Sequence, residues 1–105
     1  GFMYMNGDGV EKDMQQEVVG YRQAAEEGHE LGQFRLGCMY VNGDGVEKDM
    51  QQAVVWYRKA AGQGHAHAQY NLALMYENGD GVEKDMQQAV MWYRKAAEQG
   101  DAHGQ

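Results

Sequence analysis

Along residues 50–63 the apolar positions Met50, Ala53, Val54, Tyr57, Ala60 and Ala61 fall at spacings of three and four. That spacing is one face of a helix. Ahead of it, Gly32, Leu36, Gly37, Met39 and Tyr40 form the packing side of a second, shorter pattern. Both patterns return further on, around Leu72–Tyr76 and Val90–Tyr93. The polarity therefore predicts paired helices: Leu31–Asn42 with Met50–Gln63, then His67–Asn78 with Met86–Gln99.

The pairs are copies. "NGDGVEKDMQQAV" begins at Asn42 and again at Asn78, with a near copy at Asn6, a period of 36 residues. A fixed period of about 20–50 residues marks stacked supersecondary units. Within the repeated stretch, Gly43 and Gly79 follow the first helix, where a left-handed residue closes the last turn. Gly45 and Gly81 permit a second unusual backbone angle. Asp13, Asp49 and Asp85 precede the second helices, with Gln16, Gln52 and Gln88 three residues on. That is a capping-box arrangement, in which the glutamine reaches back to the cap's own N–H. Gly28, Gly64 and Gly100 are placed to stop the second helix. An acidic, glycine-containing loop raises the question of calcium, yet an EF-hand requires a bidentate Glu at its twelfth position. Counted from Asn42, that position is Ala53. The loop reads as turn plus cap, with no metal site.

Neither helix buries its stripe alone, so the units must stack. The expected fold class is all-α, an α-solenoid of stacked antiparallel helix pairs. The whole chain, 1–105, reads as a single repeat domain, with a partial repeat at 1–29, repeats at 30–65 and 66–101, and the opening of another at 102–105. Gly1 aligns with Gly37, and "AHGQ" at 102–105 aligns with "AHAQ" at 66–69. The two ends are thus complementary parts of one helix. Head-to-tail self-association, with Gly1–Tyr4 of one molecule against the end of the next, is the expectation.

Composition narrows the partners. A 43% hydrophobic fraction dominated by Ala, Met and Tyr, with no Pro, suits closely approaching helices. A formal charge of −7 argues against nucleic acid and anionic membrane surfaces and favours basic or neutral protein partners. No apolar run reaches the ~18 residues of a membrane-inserting helix. Cys38 is the sole cysteine, so no internal disulfide forms, and the compartment stays open. No nucleophile–base pair, phosphate loop or paired-carboxylate site emerges, so neither an enzyme nor a cofactor is expected. His65 and His67 form an H-x-H pair without a third ligand nearby.

The stretch "AQYNLALMYENGDGVEKDMQQAVMWYRKAAEQG", Ala68–Gly100, resembles the Sel-one-like repeat, a relative of the tetratricopeptide repeat. The matching positions are Leu72, Tyr76, Gly79, Gly81, Val82, Ala89, Trp92, Tyr93, Ala96, Ala97 and Gly100. The resemblance implies a right-handed superhelix whose first helices line a concave face, and a non-catalytic scaffold or adaptor role in protein–protein interaction. It also implies that Trp56 and Trp92 pack between repeats. A cysteine-rich branch linked to β-lactam binding carries paired cysteines in each repeat, and a hydrolase of that kind is the remote alternative. The single Cys38 departs from its pattern.

The units differ where it matters. Between 42–65 and 78–101 only three positions change, whereas between 30–41 and 66–77 eight of twelve do. At about 100° per residue, the unchanged or small residues of the first helix share one arc. Leu31, Phe34, Arg35, Cys38 and Val41 share the other, matched by His67, Tyr70, Asn71, Leu74 and Glu77. Two explanations stand: a presented side diversified to fit a protein or peptide, or exposed positions drifting after duplication. The first makes Leu31, Phe34, Arg35, Cys38, His67, Tyr70, Asn71 and Leu74 the candidate partner-binding residues. A purely structural or self-assembling repeat is the alternative.

Overall fold

The computed structural model describes residues 16–104, with side chains over 16–99. Helix α1 covers 16–26. It is followed by α2 (Glu30–Asn42), α3 (Met50–Gly62), α4 (Ala66–Asn78) and α5 (Met86–Gly104). No strand occurs among the described residues. Consecutive helices pack on one another, α2 on α3, α3 on α4 and α4 on α5, so the layers follow chain order. Asp13 and the expected docking segment Gly1–Tyr4 lie outside the described residues.

The repeated stretch acts as a double stop. At Gly43 (φ +73°) the Gly43 and Asp44 N–H groups both donate to the Met39 carbonyl, at 2.7 and 3.0 Å. The left-handed angle is what lets the last-turn carbonyl be satisfied twice. Asp49 then caps α3, its Oδ1 accepting from Gln51 and Gln52 N–H at 3.1 and 3.2 Å. Asp85 repeats this on α5 at 3.0 and 3.2 Å. The glutamine half of the capping box does not form. The Asp49 and Asp85 N–H groups instead donate at 3.0 Å to the carbonyls of Tyr40 and Tyr76, leaving the glutamine nothing to receive. That backbone bond folds the loop onto the preceding helix. Gly81 completes the fit by lying so close to the Met50 carbonyl that a Cβ would collide with it.

One expected stop is absent. Gly28 and Gly64 do reverse the chain with positive φ, whereas α5 runs on through Gly100 to Gly104. At Gly64 the reversal is held by α4 packing back over α3, with Gln69 donating to the Ala61 carbonyl at 3.1 Å.

The buried faces match the predicted stripes. Ala53, Val54, Tyr57, Ala60 and Ala61 of α3 and Gly32, Gln33, Leu36, Gly37 and Met39 of α2 are buried. Leu36 and Leu72 are wholly enclosed. Trp56 packs on the cluster around Val18, Ala25 and Leu36, and Trp92 on the cluster around Tyr57 and Leu72, so each does bridge adjacent layers. Small residues set the approach: a Cβ on Gly32 would stand 2.8 Å from that of Ala24.

A relay of glutamine amides crosses the layers. Gln33, 4% exposed, donates to the Ala25 carbonyl at 3.2 Å and accepts from Gln63 at 2.7 Å. Gln69 repeats the relay between Ala61 and Gln99, at 3.1 and 2.9 Å. Each buried amide thus has partners on both neighbouring layers, which removes the penalty of an unpaired polar group and fixes the register of stacking.

Candidate interaction face

The variable arc of α2 and α4 lines one face together with tyrosines from the second helices. Phe34 stacks on the His65 imidazole, ring centroids 4.7 Å apart, and lies 5.7 Å from Tyr57 and 6.1 Å from His67. His65 sits there because it caps α4, its Nδ1 accepting from the Ala68 N–H at 3.2 Å. Burial, with His67 and Arg35 nearby, pulls its pKa below the ordinary 6.5 against the opposing pull of Glu30. Further along, Tyr70 meets Tyr93 edge to face at 5.5 Å.

The tyrosine hydroxyls are tied down. Tyr57 donates to Cys38 Sγ at 3.2 Å. Burial and that bond raise its pKa, while the Asn71 side chain opposes the shift. Tyr93 donates to Glu77 Oε1, and chiefly for that reason its pKa is pushed up to about 12. Cys38 is thus the acceptor of the Tyr57 hydroxyl.

Two slots are lined in part by these residues. The second, about 280 Å³, is walled by Tyr57, Leu74 and Val41, floored by Met75 and rimmed by Asn71 and Asp80. The first, about 240 Å³, is lined by Tyr21, Met39, Arg35, Cys38, Asp44 and Glu17. Both fall just short of the ~300–1,000 Å³ typical of small-molecule sites, a size suited to single side chains. A larger open groove of about 570 Å³ lies elsewhere, between α1 and α3, where Arg22 donates to the Tyr40 hydroxyl at 2.7 Å. None of the candidate residues lines it.

The candidate residues divide accordingly. Arg35 and Cys38 enter the first slot, Asn71 and Leu74 the second. Phe34 and His67 gather around His65, and Tyr70 pairs with Tyr93 of α5. Leu31, 54% exposed, stands apart from all of these groupings. Sequence reasoning passed over Tyr57, Asn78 and Asp80, which also line the second slot. Tyr57 was counted with the core stripe, and Asn78 and Asp80 with the turn. Their recurrence 36 residues earlier as Tyr21, Asn42 and Asp44 was the available signal. His65 and His67 lie with ring centroids 6.0 Å apart, and no group of three metal-capable side chains occurs among the described residues.

The Sel1 repeat model matches residues 1–16, 21–29, 31–65 and 66–101. The chain belongs to the Sel1-repeat family. Members of this family generally serve as protein–protein interaction scaffolds and are typically non-enzymatic. Among solved structures, the chain is similar to a protective antigen of uropathogenic Escherichia coli with an SLR fold, at 48% identity and a TM-score of 0.82. That match covers 85% of this chain and only 19% of the antigen. A Sel1 repeat protein from Oxalobacter formigenes matches at 40% identity and a TM-score of 0.76, over 78% of this chain and 63% of that one. The cysteine-rich protein B of Helicobacter pylori matches at 34% identity and a TM-score of 0.76, over 83% and 67%. No curated protein sequence matches the chain. These Sel1 neighbours bear out the all-α solenoid expected from the repeat. No helix among the described residues is long and apolar enough to cross a membrane.

Proposed function

We propose that this Sel1-repeat chain is an interaction scaffold that binds a protein segment or peptide along the concave face lined by α2 and α4. The observation that carries the reading is the coincidence of diversity with concavity. Five of the first-helix residues that differ between the copies, Arg35, Cys38, Val41, Asn71 and Leu74, line the two slots. Drift alone gives no reason for the changed residues to gather at concavities. The test is selection from a phage-displayed library of random dodecapeptides, followed by titration of enriched peptides. Changing Arg35 and Asn71 together to Ala is expected to weaken binding about tenfold or more, with the melting temperature nearly unchanged. Changing the exposed Val55 and Met91 to Ala is expected to leave binding intact. The reverse pattern moves the site to the second helices.

A second reading, self-association, is supported by one comparison. Val54 is 2% exposed under α4, and its copy Val90, on a helix of nearly identical sequence, is 50% exposed. An apolar face of that kind suits another first helix, in the head-to-tail arrangement expected above. Sedimentation across a concentration series tests it, and a strict monomer at high concentration rules it out.

A further inference from the structure

The groove between α1 and α3 is a separate concavity of about 570 Å³, lined by Arg22, Glu26, Tyr40, Glu47, Asp49 and Trp56 among others. Its volume falls inside the ~300–1,000 Å³ range typical of binding sites. The repeat supplies most of its frame. Arg22 donates to the Tyr40 hydroxyl at 2.7 Å, and the copies Arg58 and Tyr76 make the same bond at 2.6 Å. Glu47, Asp49 and Trp56 recur as Glu83, Asp85 and Trp92. Glu26 does not recur: Gly62 holds its place on α3.

Two unmet demands coincide in this groove. One is a donor. Trp56 Nε1 is buried with no hydrogen-bond partner, the one such side-chain nitrogen or oxygen among the described residues. A buried N–H without an acceptor carries the cost of its lost hydration. None of the oxygens lining the groove reaches it. Lys59 Nζ already lies over the indole, 4.7 Å from a ring centroid, and the ring packs on the cluster around Val18, Ala25 and Leu36, so the N–H is its unused group. The other demand is charge. The lining sets three carboxylates, Glu26, Glu47 and Asp49, against the one guanidinium of Arg22. Among the described residues none of these four is ion-paired, the one pair being His29 with Glu27. Asp49 commits one oxygen to capping α3, which leaves Glu26 and Glu47 as the free carboxylates. Both are exposed, so each attracts a cation modestly, and the buried N–H provides the fixed anchor.

We infer that the groove binds a basic side chain of a partner polypeptide, its cation against Glu26 and Glu47 and a neighbouring backbone carbonyl on Trp56 Nε1. A polypeptide meets both demands, because every lysine or arginine is carried beside carbonyl acceptors. A polyamine brings charge and no acceptor. An acidic segment brings acceptors and is repelled by the carboxylates. The groove shares no lining residue with the two slots, so this site is independent of what the face of α2 and α4 binds.

Two-dimensional 1H–15N NMR of the labelled chain decides it, because the chain has only two indole N–H groups, those of Trp56 and Trp92. Trp92→Phe assigns them. Titration with acetyl-Ala-Arg-Ala-amide, or its lysine equivalent, is expected to shift the Trp56 indole resonance and leave that of Trp92 in place. E26Q/E47Q keeps the side-chain volumes and is expected to weaken binding about tenfold. Added salt should weaken binding to the wild type as well. Trp56→Phe keeps a ring in the stack and should weaken binding several-fold, followed through the backbone amides of α1 and α3. Circular dichroism melts accompany both variants. An equal Trp56 shift from spermidine or from the glutamate equivalent overturns the assignment of a basic polypeptide. No Trp56 shift at millimolar peptide, or equal affinity in wild type and E26Q/E47Q, overturns the site.

Discussion

Val54 and Val90 provide an internal control that few proteins offer, one residue type at one repeat position in two degrees of burial. Val54 is 2% exposed between α3 and α4, and Val90 is 50% exposed on α5. Replacing valine by alanine removes two methyl groups, about 1.6 kcal/mol at ~0.8 kcal/mol per buried carbon. At Val54 the hole is enclosed by α4, so a cavity contribution raises the cost to about 2 kcal/mol. At Val90 roughly half the area is already wet and no enclosed hole forms, so the cost is about 0.8 kcal/mol or less. With a urea m-value of about 1.5 kcal/mol/M, the difference moves the midpoint of Val54→Ala about 0.8 M further than that of Val90→Ala. The assay is paired urea melts at low micromolar concentration, followed by far-UV circular dichroism and by the fluorescence of Trp56 and Trp92. Both signals are needed because stacked units can unfold in steps. Equal losses, independent of protein concentration, would refute the argument that the neighbouring layer is what separates the two sites. A Val90→Ala cost that grows with concentration would instead mean that a second molecule covers α5.

Two further outcomes follow from single hydrogen bonds. Asp49→Ala frees the Gln51 and Gln52 N–H groups and is expected to cost about 1 kcal/mol; calcium should neither rescue it nor raise the wild-type melting temperature, and a marked rise would reinstate a metal loop. His65 has its folded pKa lowered from 6.5, so the native state resists protonation and stability is complete above about pH 6.5 and lost as pH falls below it. The melting temperature should therefore drop between pH 7 and 5, and His65→Asn, which keeps an N-cap acceptor without titrating, should flatten that drop; an unchanged slope in the variant would show that His65 is not its source.

The fold was largely legible because each unit announces itself twice, by helical spacing and by punctuation. Helix bounds read from spacing agree with the structure to within a residue at α2, α3 and α4. What spacing does not show is competition for a donor. The glutamine of the capping box has the right place in the chain, yet the Asp49 N–H is already taken by the Tyr40 carbonyl, a contact made only when the loop folds back. Gly100 likewise carries the same residue as Gly64, and the helix continues through it. At Gly64 the reversal goes with α4 packing back over α3, a tertiary contact that spacing does not show. The buried relay through Gln33 and Gln69 was legible only as membership of the packed arc, because its partners lie on other layers.

The site was half legible for a related reason. Comparing copies isolates residues that vary, and this located Arg35, Cys38, Asn71 and Leu74. The same comparison is blind to residues that serve every slot alike. Tyr57, Met75, Asn78 and Asp80 recur with the scaffold, so internal comparison assigns them to packing and turns. The two assignments are compatible. Tyr57 is 3% exposed and belongs to the core of α3, while its ring edge and hydroxyl meet Cys38 and Asn71 at the slots. In a stacked repeat the wall of a concavity is the flank of the core, so residues fixed for packing also define the shape available to a partner. Under the peptide-scaffold proposal, specificity rests on the few positions that reach the concavity without supporting the stack. Those are positions 35 and 38 at the first slot and 41, 71 and 74 at the second. On that proposal, substitutions at such positions change what is bound while the tyrosine, methionine and acidic rim stay in place.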